Sequence, residues 1–86
     1  MAKHKVIVKK LGRHRIDGSQ VDGYADTDTK EIFIDSRLKN KRAIIVLCHE
    51  VGHQVFPEMS EKEIERLGRI MGTTLWDEDY RKVNLK

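Results

Sequence analysis

One cysteine, one proline and five aromatic side chains are all that 86 residues contain of these types, and no apolar run is long. Each scarcity removes a class of protein. A lone Cys48 cannot close an internal disulfide, which excludes the stapled scaffolds of small secreted domains. A membrane span needs about 18 consecutive apolar residues, and no stretch approaches that, so no membrane association is expected. The opening Met-Ala-Lys-His-Lys runs into Val-Ile-Val rather than a leader-like apolar block, and a cytoplasmic protein is expected. No linker, repeat or low-complexity segment divides the chain, which reads as one domain over residues 1–86. So short a domain buries only about 60 to 65 % of the surface its unfolded form exposes. Its core is marginal, and with disulfides excluded a bound metal is the available staple.

Charge is laid out unevenly. Residues 1–42 carry 11 Lys and Arg against 6 Asp and Glu, a net +5, while residues 43–86 carry 6 against 8, a net −2. A basic half suits an acidic protein or nucleic acid as partner. Nucleic acid is the less favoured of the two, because only Tyr24 and Phe33 are aromatic in that half and no nucleic-acid motif appears. A homodimer would enlarge so small a core, although no residue pattern marks one.

Residues 3–10 alternate His4, Val6 and Val8 against Lys5, Ile7 and Lys9, the pattern of a half-buried strand. Residues 13–17 form a second candidate strand, with Asp17-Gly18 as a turn before a third at residues 21–26. After a turn at residues 26–29, Lys30-Glu31-Ile32-Phe33-Ile34-Asp35 is the clearest strand, with Ile32 and Ile34 on one face. Residues 42–48 have strand propensity, yet the apolar pattern continues to Phe56, about 16 residues from Asn40. That length predicts a helix capped by Asn40 and stopped by Pro57. Ser60 and Glu63 form a capping box opening a second helix that runs to about Leu75, with Ile64, Leu67 and Ile70 or Met71 at helical spacing. The expected architecture is α+β: a small antiparallel meander of three to four strands, then two packed antiparallel helices.

The first helix carries His49-Glu50-Val51-Gly52-His53. Residues four apart on a helix lie on one face, roughly 5 to 6 Å between Cβ atoms, so two imidazoles can converge on one metal ion. This H-E-x-x-H string is the spacing zinc requires, and Glu50 is placed to accept a proton from water at the open position. A catalytic zinc takes three protein ligands, and no histidine follows His53. The third comes from a downstream carboxylate or from His4 or His14. Reflecting positions about a loop near residue 58 sets the metal level with position 65, which makes Glu65 the first candidate and Glu61, one turn earlier, the second. Glu65 shares a helix line with Gly68 and Gly72, whose lack of side chains lets a facing helix approach; Gly52 on the first helix fits the same contact.

From about residue 23 to 75 the chain resembles the zincin metallopeptidases of the gluzincin branch, most closely small ImmA/IrrE-like metallopeptidases often carried by phages and mobile elements. The likeness rests on a Gly-Tyr-Ala strand, the Glu31-Ile-Phe-Ile-Asp35 strand, the helix through His53 and the glutamate-bearing helix after it. The resemblance implies Zn2+ held by His49, His53 and Glu65, with Glu50 as the general base of peptide hydrolysis and a protein or peptide as substrate. Such families often place an acid four residues beyond the ligand glutamate. Position 69 is Arg69, whereas taking Glu61 as the ligand puts Glu65 in that place.

Hydrolysis also needs a donor for the developing oxyanion, for which Tyr24, Tyr80, Arg81 and His14 are candidates. Asp35, Asp77 and Asp79 are candidates to orient an imidazole. A substrate strand is expected to add to an exposed edge of the strand at residues 30–35. Two rivals stand beside the peptidase: an inactive zinc-stapled protein that binds a regulatory partner, and a nucleic-acid module in which the string is fortuitous.

Overall fold

The computed structural model describes residues 3–11, 15–16, 19–20 and 22–81. Strands β1 (Lys5–Lys9), β2 (Arg15–Ile16), β3 (Ser19–Gln20), β4 (Gly23–Asp26) and β5 (Glu31–Asp35) precede helices α1 (Asn40–Val55) and α2 (Glu61–Asp77). The chain is α+β. A three-stranded sheet in the order β1-β5-β4 backs the helices, and β2 and β3 pair separately.

The sheet is mixed rather than an antiparallel meander. β4 and β5 form the expected antiparallel pair, from Gly23 opposite Ile34 to Asp26 opposite Glu31. β1 instead runs parallel to β5, Lys5 beside Glu31 and Lys9 beside Asp35. Two parallel strands need a connection long enough to bring the chain back, and the segment containing β2, β3 and β4 supplies it. One consequence concerns substrate docking: β5 is the central strand, paired on both sides, so the edge expected at residues 30–35 is not there. The edges are β1 and β4.

Ile32 and Ile34 face the helices and pack with Val46, Leu38 and Leu47. Burying each such aliphatic side chain contributes roughly 1.5 to 3 kcal/mol, so this small cluster carries much of the layer contact. Val6 and Val8 do not share it, being 46 % and 51 % exposed, so β1 is less buried than its alternation suggested. On the far face of the sheet the rings of Tyr24 and Phe33 stack at 4.4 Å. Gln54 ties α1 to the sheet by donating to the carbonyl oxygens of Asp26 (2.9 Å) and Glu31 (3.2 Å).

Both helices end where local chemistry dictates. The Phe56 N–H donates to Gly52 O at 2.8 Å, closing α1 one residue before Pro57. Asn40 is not the cap: it begins the helix with φ 51°, a left-handed conformation asparagine tolerates, while Lys39 occupies the cap without a side-chain bond. Ser60 caps α2 as expected, its hydroxyl accepting from Glu63 N and donating to Glu63 Oε1. Between the helices, a Cβ on Gly68 would lie 2.9 Å from His49 Cα and one on Gly72 2.6 Å from Ile45 Cα, so these glycines let the two backbones touch. Among the described residues, no helix is long and apolar enough to cross a membrane.

Candidate metal centre

His49 and His53 stand one turn apart on α1 and turn their Nε2 atoms to within 3.1 Å of each other. Glu61, in the first turn of α2, closes the group: its Oε1 is 2.8 Å from His49 Nε2 and its Oε2 2.9 Å from His53 Nε2. In the Nε2–H tautomers each ring donates to one carboxylate oxygen. The imidazoles are about three-quarters covered, at 20 % and 29 % exposed, whereas Glu61 is 67 % exposed. The group therefore has a protein floor and an open side.

The donor set suits zinc. Donors about 2.0 to 2.1 Å from a tetrahedral zinc lie roughly 3.3 Å from one another. The two Nε2 atoms, 3.1 Å apart, are within a few tenths of an ångström of that; each faces a different oxygen of Glu61, and one ligand atom from each of the three residues lies within 4.8 Å of the other two. Two neutral imidazoles and one carboxylate are also the donor types a catalytic zinc takes.

Glu65 is elsewhere. Its Oε1 accepts from Arg69 Nη2 at 2.9 Å, and it lines a separate hollow with Arg42, Ile45 and Arg69 on the other side of His49. The structure thus brings Glu61, not Glu65, to the imidazoles. The levels of the two antiparallel helices match as expected, since Gly68 lies against His49. The difference between the two glutamates lies in angle. At 100° per residue Glu65 is about 60° around the helix from Gly68, while Glu61, seven residues before it, is only about 20° off that line. Nor does Glu65 hydrogen-bond an imidazole from its place four residues beyond Glu61; its Oε1 pairs with Arg69 instead.

Glu50 projects from α1 toward the sheet and is 8 % exposed. Gly23 makes room for it: a Cβ there would stand 3.4 Å from Glu50 Cγ and 2.9 Å from Val46 Cγ1. Burial, reinforced by the Glu61 carboxylate, pushes the Glu50 carboxyl up from 4.5 to about 7. A group poised there exchanges protons at neutral pH. A cleft of about 510 Å³ joins these parts, walled by Gly23, Tyr24 and Ala25 of β4 and by His49, Glu50, His53 and Glu61.

The remaining candidates fall outside the cleft or outside the described residues. His14 lies outside the latter, and His4 is exposed and apart from the group. Tyr80 is 68 % exposed, and Arg81 stacks its guanidinium 3.6 Å over the Trp76 ring. Of the proposed oxyanion donors among the described residues, Tyr24 borders the cleft and Tyr80 and Arg81 do not, while the Tyr24 ring itself stacks on Phe33 on the far face of the sheet. Asp35 is buried but held by Arg37, which bonds both carboxylate oxygens and keeps its pKa at about 2; Asp79 pairs with Arg81. Cys48 is buried, and burial raises its thiol pKa, so it behaves as a small apolar side chain. Sequence reasoning missed the role of Gly23, for which an isolated glycine in a strand was the available signal.

No protein-family model, no curated protein and no solved structure matches the chain.

Proposed function

We propose that the chain is a zinc-dependent metallopeptidase of the small ImmA/IrrE-like kind, working in the cytoplasm on a protein or peptide substrate. One observation carries the reading: two imidazoles and the Glu61 carboxylate bring their ligand atoms within 4.8 Å of one another, beside a buried Glu50 in the same cleft. His49, His53 and Glu61 would hold the metal. When bound, zinc supplies Lewis acidity that polarises a carbonyl and lets water lose a proton near neutral pH.

The protein's own groups do the rest. Glu50 accepts the proton of the attacking water at a carboxylate oxygen and delivers it to the leaving amine, which needs a pKa near the working pH. Its burial keeps bulk water from competing for that proton. The outer edge of β4 borders the cleft, so an extended substrate adds there as a strand, with Gly23, Tyr24 and Ala25 setting its register. Gly68 and Gly72 hold α2 against α1 and so keep Glu61 in reach of both imidazoles.

Cleavage of an unstructured protein substrate, followed by mass spectrometry, tests this directly. Wild type cleaves when zinc is present, and Glu50→Gln keeps zinc while losing hydrolysis; equal turnover by that variant removes the mechanism. A second reading, a zinc-stapled binding protein, is favoured by the exposed basic strand β1. It predicts zinc without cleavage in both proteins.

A further inference from the structure

Strand β1 forms the sheet edge remote from the histidine cluster. It pairs with β5 on one side and, among the described residues, with no strand on the other. Val6 and Val8 lie beside Ile32 and Ile34, and directly paired residues share a face of the sheet. That is the helix-side face, yet α1 packs only over β4 and β5, so both valines remain exposed. The other face of the strand carries Lys5 and Lys9, both exposed, with Lys3 and Lys10 flanking them.

The lysine charges are available. Asp35, beside Lys9, is held by Arg37, and Lys9 itself leans over the Phe33 ring at 4.9 Å. Among the described residues neither Lys5 nor Lys9 forms an ion pair within 4 Å, although Glu31 stands beside Lys5. The edge thus offers main-chain hydrogen-bonding groups, an apolar stripe on one face and a cationic stripe on the other.

We propose that β1 is a docking edge for an extended protein segment that alternates acidic and apolar residues and adds to the sheet as a fourth strand. Apolar residues of such a segment lie opposite Val6 and Val8, and acidic ones opposite Lys5 and Lys9, each pair on a common face. A second copy of this chain does not satisfy the edge. Antiparallel pairing of two β1 strands about Ile7 sets Val6 against Val8 but also Lys5 against Lys9, and like charges directly opposite one another repel. Lysines on an edge commonly block such self-association. Nucleic acid would answer the lysines but leave the valines and the main-chain groups unmatched. The proposal does not depend on the metal.

The test uses the full chain carrying Glu50→Gln, so that no peptide is consumed, and a labelled peptide containing Glu-Val-Thr-Val-Glu. Fluorescence anisotropy measures binding, and backbone amide chemical shifts locate it. Binding with shifts centred on residues 5–9 is the expected result. Lys5→Glu with Lys9→Glu, checked for native circular dichroism, weakens binding by about tenfold, since each cross-strand ion pair contributes up to roughly fivefold. The peptide Lys-Val-Thr-Val-Lys restores binding to that double variant, which a merely structural role of the lysines would not do. Adding Glu61→Ala leaves peptide binding at β1 unchanged, which separates this edge from the metal reading. The inference is overturned by no binding at millimolar peptide, by shifts confined to β4 and the cleft, by equal binding to the charge-reversed variant, or by an oligonucleotide that displaces the peptide.

Discussion

Gly68→Ala probes how the site is assembled, because the methyl it adds has nowhere to go. Its Cβ would stand 2.9 Å from both the Cα and N of His49 and 3.0 Å from His49 Cβ. Ordinary carbon contacts are about 3.5 to 4.0 Å, so α2 must retreat by several tenths of an ångström to about 1 Å. Backbone cannot rotate aside, so the strain falls on the helix pair. Overpacking of this kind costs roughly 1 to 3 kcal/mol, against about 1 kcal/mol gained from alanine's better helix propensity. The net loss of up to about 2 kcal/mol lowers the melting temperature by up to roughly 8 to 16 °C in a domain of this size. Retreat of α2 also withdraws Glu61 from the imidazoles, and disturbances of a ligand's supports typically weaken metal affinity by roughly 10- to 100-fold. Gly52→Ala is the control, since its Cβ meets side-chain atoms rather than backbone, the Ile64 Cδ1 and Cγ2 at 3.2 and 3.4 Å and the Leu67 Cδ2 at 3.5 Å, contacts that need to give by only a few tenths of an ångström. Calorimetry and competitive zinc titration of both variants provide the assay. Equal stability and zinc affinity in Gly68→Ala and Gly52→Ala would refute the claim that the helix contact positions the site.

The Glu50 carboxyl is raised from 4.5 to about 7 by burial, so in the chelator-treated protein its contribution to stability is fully present below pH 4.5 and is lost as pH rises through 7. Glu50→Gln removes that decline, giving a variant more stable by up to about 3 kcal/mol at pH 8 and no different at pH 4, readable by urea unfolding at each pH. Asp35 is held at about 2 mainly by its side-chain hydrogen bonds from Arg37, so its contribution is present above pH 4 and lost as pH falls through 2; Asp35→Asn should flatten that acid limb of the stability curve. Glu65→Ala breaks only an exposed pair with Arg69, and a stability change above about 1 kcal/mol in thermal unfolding would contradict that reading.

The parts of the fold legible in the sequence are those set by local spacing. Apolar recurrence, Pro57 and the Ser60–Glu63 box mark both helices to within two residues, because these signals act within a turn or two of the chain. Ile32 and Ile34 likewise announce β5. The direction of β1 was not legible, since Lys-Val-Ile-Val-Lys alternates identically in a parallel or antiparallel pair, and only the return path of residues 10–30 decides between them. Nor was it legible that α1 stops short of β1, leaving Val6 and Val8 uncovered. At the site, four-residue spacing brings His49 and His53 together by helix geometry alone. Glu61 depended on how α2 is rotated about its axis, which Ile64, Gly68 and Gly72 jointly fix by facing α1.

The most direct test of the metal centre is elemental analysis of the purified protein beside Glu61→Ala and Glu65→Ala, each verified as folded by circular dichroism. Stoichiometric zinc in the wild type and in Glu65→Ala, with little in Glu61→Ala, is the predicted result. A wild type that takes up no zinc, or zinc lost from Glu65→Ala but kept by Glu61→Ala, would contradict it.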